Sequence, residues 1–180
     1  SVRDFGEPGF IFTDDLEFLF NPCVEIGMRG YSPDSLSGWQ MCNLSEINGA
    51  KCNTMQDYLD ACQAASIIGT LQAGYTDFPH MDDDGATQQI VEREALIGVS
   101  ITGWMNNPDV LFNERNMKVG AELVKKTNRK VAKLLGINPA SRTTCVKPSG
   151  NASVMLGTAS GIHGEHSPRF FRNMQMNEMD

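Results

Sequence analysis

Two stretches of the chain carry apolar residues at helical spacing, and short apolar runs bounded by glycine and proline lie around them. Thr54 and Asp57 stand in the Ser/Thr-x-x-Asp/Glu relation of a capping box. From there Met55, Tyr58, Leu59, Cys62, Ala65 and Ile68/Gly69 follow three- and four-residue steps, which predicts a helix from Thr54 to about Ala73. A second helix is expected over Thr87–Ala95. A third, longer one should cover Asn113–Leu135, with Val119, Leu123, Val131 and Leu134/Leu135 on one side. Gly136 supplies its C-cap and Pro139 lies beyond. Leu96–Thr102 is apolar and β-branched, ends at Gly103 and suits a buried parallel strand. Arg142–Val146 is a second strand candidate, running into Lys147-Pro148-Ser149-Gly150.

The remaining segments have no helical period. Residues 8–20 are aromatic and lead into Asn21-Pro22, a turn-initiating pair. Residues 29–38 hold three Ser, two Gly, a Pro and an Asp and read as a surface loop. Gln40–Ile47 is a short mixed segment around Cys42, and residues 77–85 form an acidic loop. There is no internal repeat and no low-complexity tract. Helices alternating with strands at this rhythm imply an α/β fold with parallel pairing. In such folds sites gather at the carboxyl ends of strands, so the loop after Val146 is a natural place to look.

Composition narrows the classes. The chain has 180 residues, 15 Lys plus Arg and 22 Asp plus Glu, giving a net charge of −7. That argues against a nucleic-acid binder held by a basic surface. No apolar run reaches the roughly 20 residues of a membrane span. Five cysteines, an odd number with no Cys-x-x-Cys pair, suit a reduced cytoplasmic chain better than a disulfide framework or a zinc module. The first residues contain no initiator Met and no secretory signal, and the last carry no terminal signature. Both ends read as cut edges, so we expect one partial domain over 1–180 that belongs to something longer.

Several residues could do chemistry. Asn21, Cys23 and Glu25 alternate, and in an extended segment alternate side chains share a face. A thiol flanked by an amide and a carboxylate is a reactive arrangement. The plainer reading is a strand end with a buried cysteine and a surface glutamate. Lys147-Pro148-Ser149-Gly150-Asn151-Ala152-Ser153 combines a cation, a flexible glycine and hydroxyls ahead of a helix start, a pattern suited to an anion, though such a turn is often only a turn. Gly161-Ile-His163-Gly-Glu-His166 lacks the spacing of a zinc motif, and His80–Asp84 reads as a solvated loop, so no metal is expected. Arg169–Asn173 receives no role.

Taken together, Asn21-Pro-Cys-Val-Glu25, Cys42-Asn-Leu-Ser-Glu-Ile-Asn48, Gly98-Val-Ser-Ile-Thr-Gly103, Thr144-Cys-Val-Lys-Pro-Ser-Gly150 and Gly161-Ile-His163 occur in an order that resembles the catalytic chain of ribonucleotide reductases, in particular the adenosylcobalamin-dependent (class II) branch. The likeness runs from about Gly6 to Asn173. It implies part of a ten-stranded α/β barrel around a central finger loop, and conversion of a ribonucleotide, a triphosphate, to its 2′-deoxy form. By resemblance, Cys23 is the finger-tip thiol that becomes a thiyl radical and takes the ribose 3′ hydrogen. Glu25 accepts the 3′-hydroxyl proton, and Asn21 orients the substrate hydroxyls. Cys42 is one of two cysteines that reduce the 2′ carbon, with its partner outside this chain, although a purely structural thiol is the alternative. Residues 147–153 hold the substrate phosphates, with Asn151 standing where relatives more often have Thr. Adenosylcobalamin, a thioredoxin-type dithiol and the remaining segments of the reductase chain follow as cofactor and partners. Cys52, Cys62 and Cys145 are expected to be packing residues. Three other readings stay open: a class I chain served by a separate metal-containing radical subunit, a catalytically silent assembly piece, and an unrelated α/β nucleotide-binding domain using the 147–153 loop.

Overall fold

The computed structural model describes residues 2–6, 9–80, 84–165, 167, 169, 171 and 173. The middle of the acidic run at 80–84, His166, Arg172 and the terminal 174–180 therefore lie outside the described residues. In chain order the elements are α1 (Val2–Phe5), β1 (Phe18–Phe20), β2 (Gly27–Arg29), β3 (Leu44–Asn48), α2 (Met55–Ala73), α3 (Ala86–Glu94), β4 (Gly98–Thr102), α4 (Pro108–Leu111), α5 (Glu114–Leu135) and α6 (Ala152–Leu156). The architecture is mixed α/β with two small sheets, not a closed barrel, among the described residues.

β1 and β2 form an antiparallel hairpin in which Phe18 faces Arg29 and Phe20 faces Gly27. β3 and β4 pair in parallel from Leu44–Gly98 to Asn48–Thr102. Arg142–Cys145 runs beside β4 as a third extended segment. It makes one parallel bridge, Val99–Thr144, and its backbone is tied in through Ile97 N–H to Arg142 C=O and Cys145 N–H to Val99 C=O. The expected strand at 142–146 is thus present as an edge segment, shorter in its pairing than its sequence suggests.

Helix α2 begins where the capping box places it. The Thr54 hydroxyl accepts from Asp57 N–H at 3.1 Å and the Asp57 carboxylate accepts from Thr54 N–H at 2.8 Å. α2 and α5 pack on one face of the parallel sheet, burying Ile47, Val99, Ile101, Tyr58, Cys62 and Val124 in a common core. Gly120 makes this approach possible, because a Cβ there would lie 2.5 Å from the Tyr58 hydroxyl oxygen. The buried face of α5 is Gly120, Val124, Thr127, Asn128 and Ala132, rotated from the Val119/Leu134/Leu135 side expected from the periodicity. Val119 and Leu135 are exposed, and Leu134 is 76% exposed. Polar pairing decides the rotation. Asn128 is buried because its Nδ2 donates to Thr70 Oγ1 and its Oδ1 accepts from Ala140 N–H, both at 2.9 Å. The same effect corrects α2, where Ser66 and Thr70 are buried while Ile68 faces out.

Candidate active site

The strand alternation sorts side chains between two faces. Ser45, Ile47, Val99 and Ile101 meet the helices, with the Ser45 hydroxyl donating to Ala65 C=O. Leu44, Glu46, Gly98, Ser100 and Cys145 occupy the other face. A Cβ at Gly98 would come within 2.4 Å of Leu44 Cδ2 and 3.0 Å of Cys145 Sγ, so a larger residue there would displace the Leu44 side chain.

The β1–β2 hairpin is fastened against this second face. Arg142 donates from Nη1 to Gly27 C=O at 3.0 Å, and its guanidinium lies 6.0 Å from the Phe18 ring centre. Cys42 Sγ lies 3.9 Å from Met28 Sδ. The hairpin tip, residues 21–26, is a closed turn and not the extended segment the alternation argument assumed. Asn21 Oδ1 accepts from Ile26 N–H at 3.0 Å, and Val24 N–H donates to Asn21 C=O at 2.9 Å. Val24 adopts a left-handed conformation with φ 65°, an unfavourable region for a β-branched residue. The turn reverses the plain reading of this segment. Cys23 is exposed, Asn21 is buried, and both Glu25 carboxylate oxygens are buried with no hydrogen-bond partner. An unpaired buried carboxylate is costly in a folded protein, so it is a candidate proton acceptor wherever it faces a cavity.

Such a cavity is present. A space of about 130 Å³ is lined by Glu25, Cys42, Leu44, Gly98, Arg142 and Cys145, among others. The Cys42 thiol is held above the ordinary cysteine value by partial burial, then by the Glu25 carboxylate, then by Cys23. Cys145 is pushed up to about 11, first by burial and next by Glu25; Lys147 opposes the shift, while Cys42 and Glu46 add to it. Cys145, expected to be a packing residue, therefore faces the same cavity as Glu25 and Cys42. Cys52 and Cys62, by contrast, are buried in the core as expected. Only the shared alternation of Cys145 with Lys147 could have flagged it from sequence.

Residues 147–153 lie at the carboxyl end of the edge segment. Lys147 N–H donates to Ser100 Oγ at 3.0 Å, and the Lys147 ammonium is 2.9 Å from Glu46 Oε1, an ion-pair contact and not an aligned hydrogen bond. Ser149, in a left-handed conformation with φ 67°, donates its hydroxyl to Glu46 Oε2 at 3.0 Å and lies 2.6 Å from Thr102 Oγ1. Thr102 Oγ1 in turn accepts from Gly161 N–H at 3.1 Å. The Ser153 hydroxyl donates to Gly150 C=O at 3.0 Å. Both serine hydroxyls thus point into the protein. Pro148, Gly150 and Asn151 are exposed, Ala152 is partly buried and begins α6, and nothing lies within 4 Å of where a Gly150 Cβ would be. Glu46, which sequence reasoning passed over, is the residue on which this loop is anchored.

No protein-family model matches the chain. Curated relatives do. A probable adenosylcobalamin-dependent ribonucleoside-triphosphate reductase of Dictyostelium discoideum is 23% identical over 98% of this chain and 24% of its own length. The adenosylcobalamin-dependent ribonucleoside-triphosphate reductase of Lactobacillus acidophilus is 24% identical over 97% of this chain and 28% of its own length. The chain is similar to the class II ribonucleotide reductases. It spans about a quarter of the length of these relatives. A crystal structure of a B12-dependent (class II) ribonucleotide reductase superimposes with a TM-score of 0.59 at 21% identity, covering 80% of this chain and 22% of that one, which shows a shared fold. The class II likeness expected from the five motifs therefore extends to the tertiary structure.

Proposed function

We propose that this chain is the finger-loop and second-half segment of a class II ribonucleotide reductase, a partial domain of a ten-stranded α/β barrel. The protein it belongs to reduces ribonucleoside triphosphates to 2′-deoxyribonucleotides. The observation that carries the reading is the hairpin tip: an exposed Cys23 thiol between buried Asn21 and a Glu25 carboxylate that lacks partners, facing a cavity shared with Cys42.

In this reading Cys23, as a thiyl radical, takes the ribose 3′ hydrogen, and Glu25 accepts the 3′-hydroxyl proton. A carboxylate with no internal hydrogen bonds is free to receive one from a ligand. Asn21 holds the turn that sets the distance between the two and orients the substrate hydroxyls. Once the 2′-hydroxyl has left as water, Cys42 and a second cysteine outside this chain reduce the 2′ carbon, the two ending as a disulfide that a thioredoxin-type dithiol reduces, and Cys23 returns the 3′ hydrogen. The Cys42 pKa lies above the ordinary cysteine value, so the thiol is protonated at neutral pH, the state a hydrogen donor needs. Adenosylcobalamin fits as cofactor because Cys23 lies exposed at a turn, where a group held by the rest of the protein can reach it. When bound, it supplies a carbon-centred radical able to take hydrogen from a thiol. The substrate phosphates meet Lys147 and the open backbone around Gly150, with Pro148, Ser149, Asn151, Ala152 and Ser153 shaping the turn. Five unpaired cysteines and the absence of any described helix long and apolar enough to cross a membrane accord with a reducing, cytoplasmic setting.

The test is deoxynucleotide formation by the full-length protein, with and without adenosylcobalamin, comparing wild type with Cys23→Ser. Cobalamin-dependent product that disappears in Cys23→Ser is the expected result. Activity that needs a metal-containing partner protein instead would overturn the class, and turnover that survives Cys23→Ser would overturn the mechanism.

A further inference from the structure

Glu46 is a carboxylate that the proposed chemistry does not use. Its side chain is 8% exposed, so its charge must be compensated from within the protein. Both compensating groups come from one loop: the Lys147 ammonium on Oε1 and the Ser149 hydroxyl on Oε2. These are a cation and a donor of the segment read as the phosphate loop. The carboxylate binds them in the way an incoming phosphate oxygen would, with one charge-assisted contact and one hydroxyl contact. The same contact, together with the 2.6 Å approach of Ser149 Oγ to Thr102 Oγ1, supports Ser149 in its left-handed conformation, one that residues other than glycine seldom adopt. Beyond Gly150 the loop faces open space, so a ligand can reach it without displacing other side chains.

We propose that Glu46 is an internal stand-in anion. In the ligand-free protein it occupies Lys147 and Ser149 and keeps the 147–150 turn ordered. On ligand binding the Lys147 ammonium, 26% exposed and on a flexible stem, swings from Glu46 to the phosphate. Glu46 is therefore a positioning residue that preorganises the loop and also weakens its hold on phosphate, because every bound anion must compete with a carboxylate already in place. This inference rests on the reading of residues 147–153 as the phosphate loop.

Glu46→Gln keeps shape and hydrogen-bonding oxygen but removes the charge, leaving Lys147 uncommitted. In the full-length protein, calorimetric titration with inorganic tripolyphosphate should show Glu46→Gln binding at least about tenfold more tightly than wild type, since one negative charge is removed beside the anion and one positive charge is released. Most of that gain should disappear when Lys147→Met is added. In the ligand-free protein, amide hydrogen exchange over residues 147–153 should be faster in Glu46→Gln, with thermal melts showing that each variant is folded. Binding by Glu46→Gln that equals or falls below wild type, while Lys147→Met weakens wild type, would leave the phosphate loop standing and refute the role of Glu46. Unchanged exchange over the loop would refute it as well. Binding indifferent to Lys147→Met in both backgrounds would overturn the phosphate-loop reading itself, and this inference with it.

Discussion

Asn128 fastens three parts of the molecule at one point, and its removal is a quantitative test of how the site is supported. Its Nδ2 donates to Thr70 on α2, and its Oδ1 accepts from Ala140 N–H at the start of the segment that leads into the edge strand. The residue is 1% exposed, and its bond to Thr70 is fully buried while that to Ala140 is partly buried. Asn128→Leu retains the branched heavy-atom skeleton with bulkier methyl groups, and leaves the partly buried Ala140 N–H without its partner. The loss of two hydrogen bonds at about 1 kcal/mol each, with a further ~1 kcal/mol for the partly buried orphaned donor, gives a destabilisation of about 3 kcal/mol. For a chain of this size that corresponds to a melting temperature lower by roughly 6–12 °C. Urea unfolding followed by circular dichroism measures it. A second variant, Thr70→Val, and the double variant complete a cycle whose coupling energy should be about 1 kcal/mol. Destabilisation by Asn128→Leu below about 0.5 kcal/mol would refute the idea that this polar pairing, and not the apolar stripe, sets the rotation of α5.

Three further outcomes are expected. Glu25→Gln removes a charge that raises the Cys42 and Cys145 pKa values, so the pH profile of iodoacetamide alkylation at both should move to lower pH; an unmoved profile would show that Glu25 does not face them. Val24→Gly relieves a left-handed β-branched residue at the hairpin tip and should stabilise the chain by about 1 kcal/mol in the same urea assay, whereas destabilisation would show that the valine side chain is needed there. Burial holds the Cys52 and Cys62 thiols up to about 11 against an ordinary 9.0. The folded state therefore keeps protons that the unfolded chain releases, and stability should be fully present below pH 9 and fall as pH rises from 9 to 11. Cys62→Ala should flatten that fall in urea titrations across the range, and an equally steep fall would place its origin elsewhere.

Much of this protein was legible from its residues alone. The Thr54–Asp57 capping box, the Asn113 start and Gly136 stop of the long helix and the apolar run at 96–102 are local signals, and each element formed within a residue or two of where they point. The ordered motifs around Cys23, Cys42 and Lys147 pointed to a class II reductase likeness because side-chain chemistry and chain order survive where overall identity is low. Three matters were decided only by the tertiary structure. The face of α5 depends on Asn128 finding Thr70 and Ala140, partners 58 and 12 residues away in sequence, which no periodicity records. The exposure of Cys23 and the burial of Glu25 depend on a turn closed by Asn21, which breaks the alternation an extended strand would have had. The meeting of Glu46 with Lys147 and Ser149 joins residues about a hundred positions apart, 103 for the serine, through parallel pairing across β4. Local signals specify elements because their partners are a few residues away. Which polar group ends up facing which depends on contacts made across the fold, and those exist only once the strands are side by side.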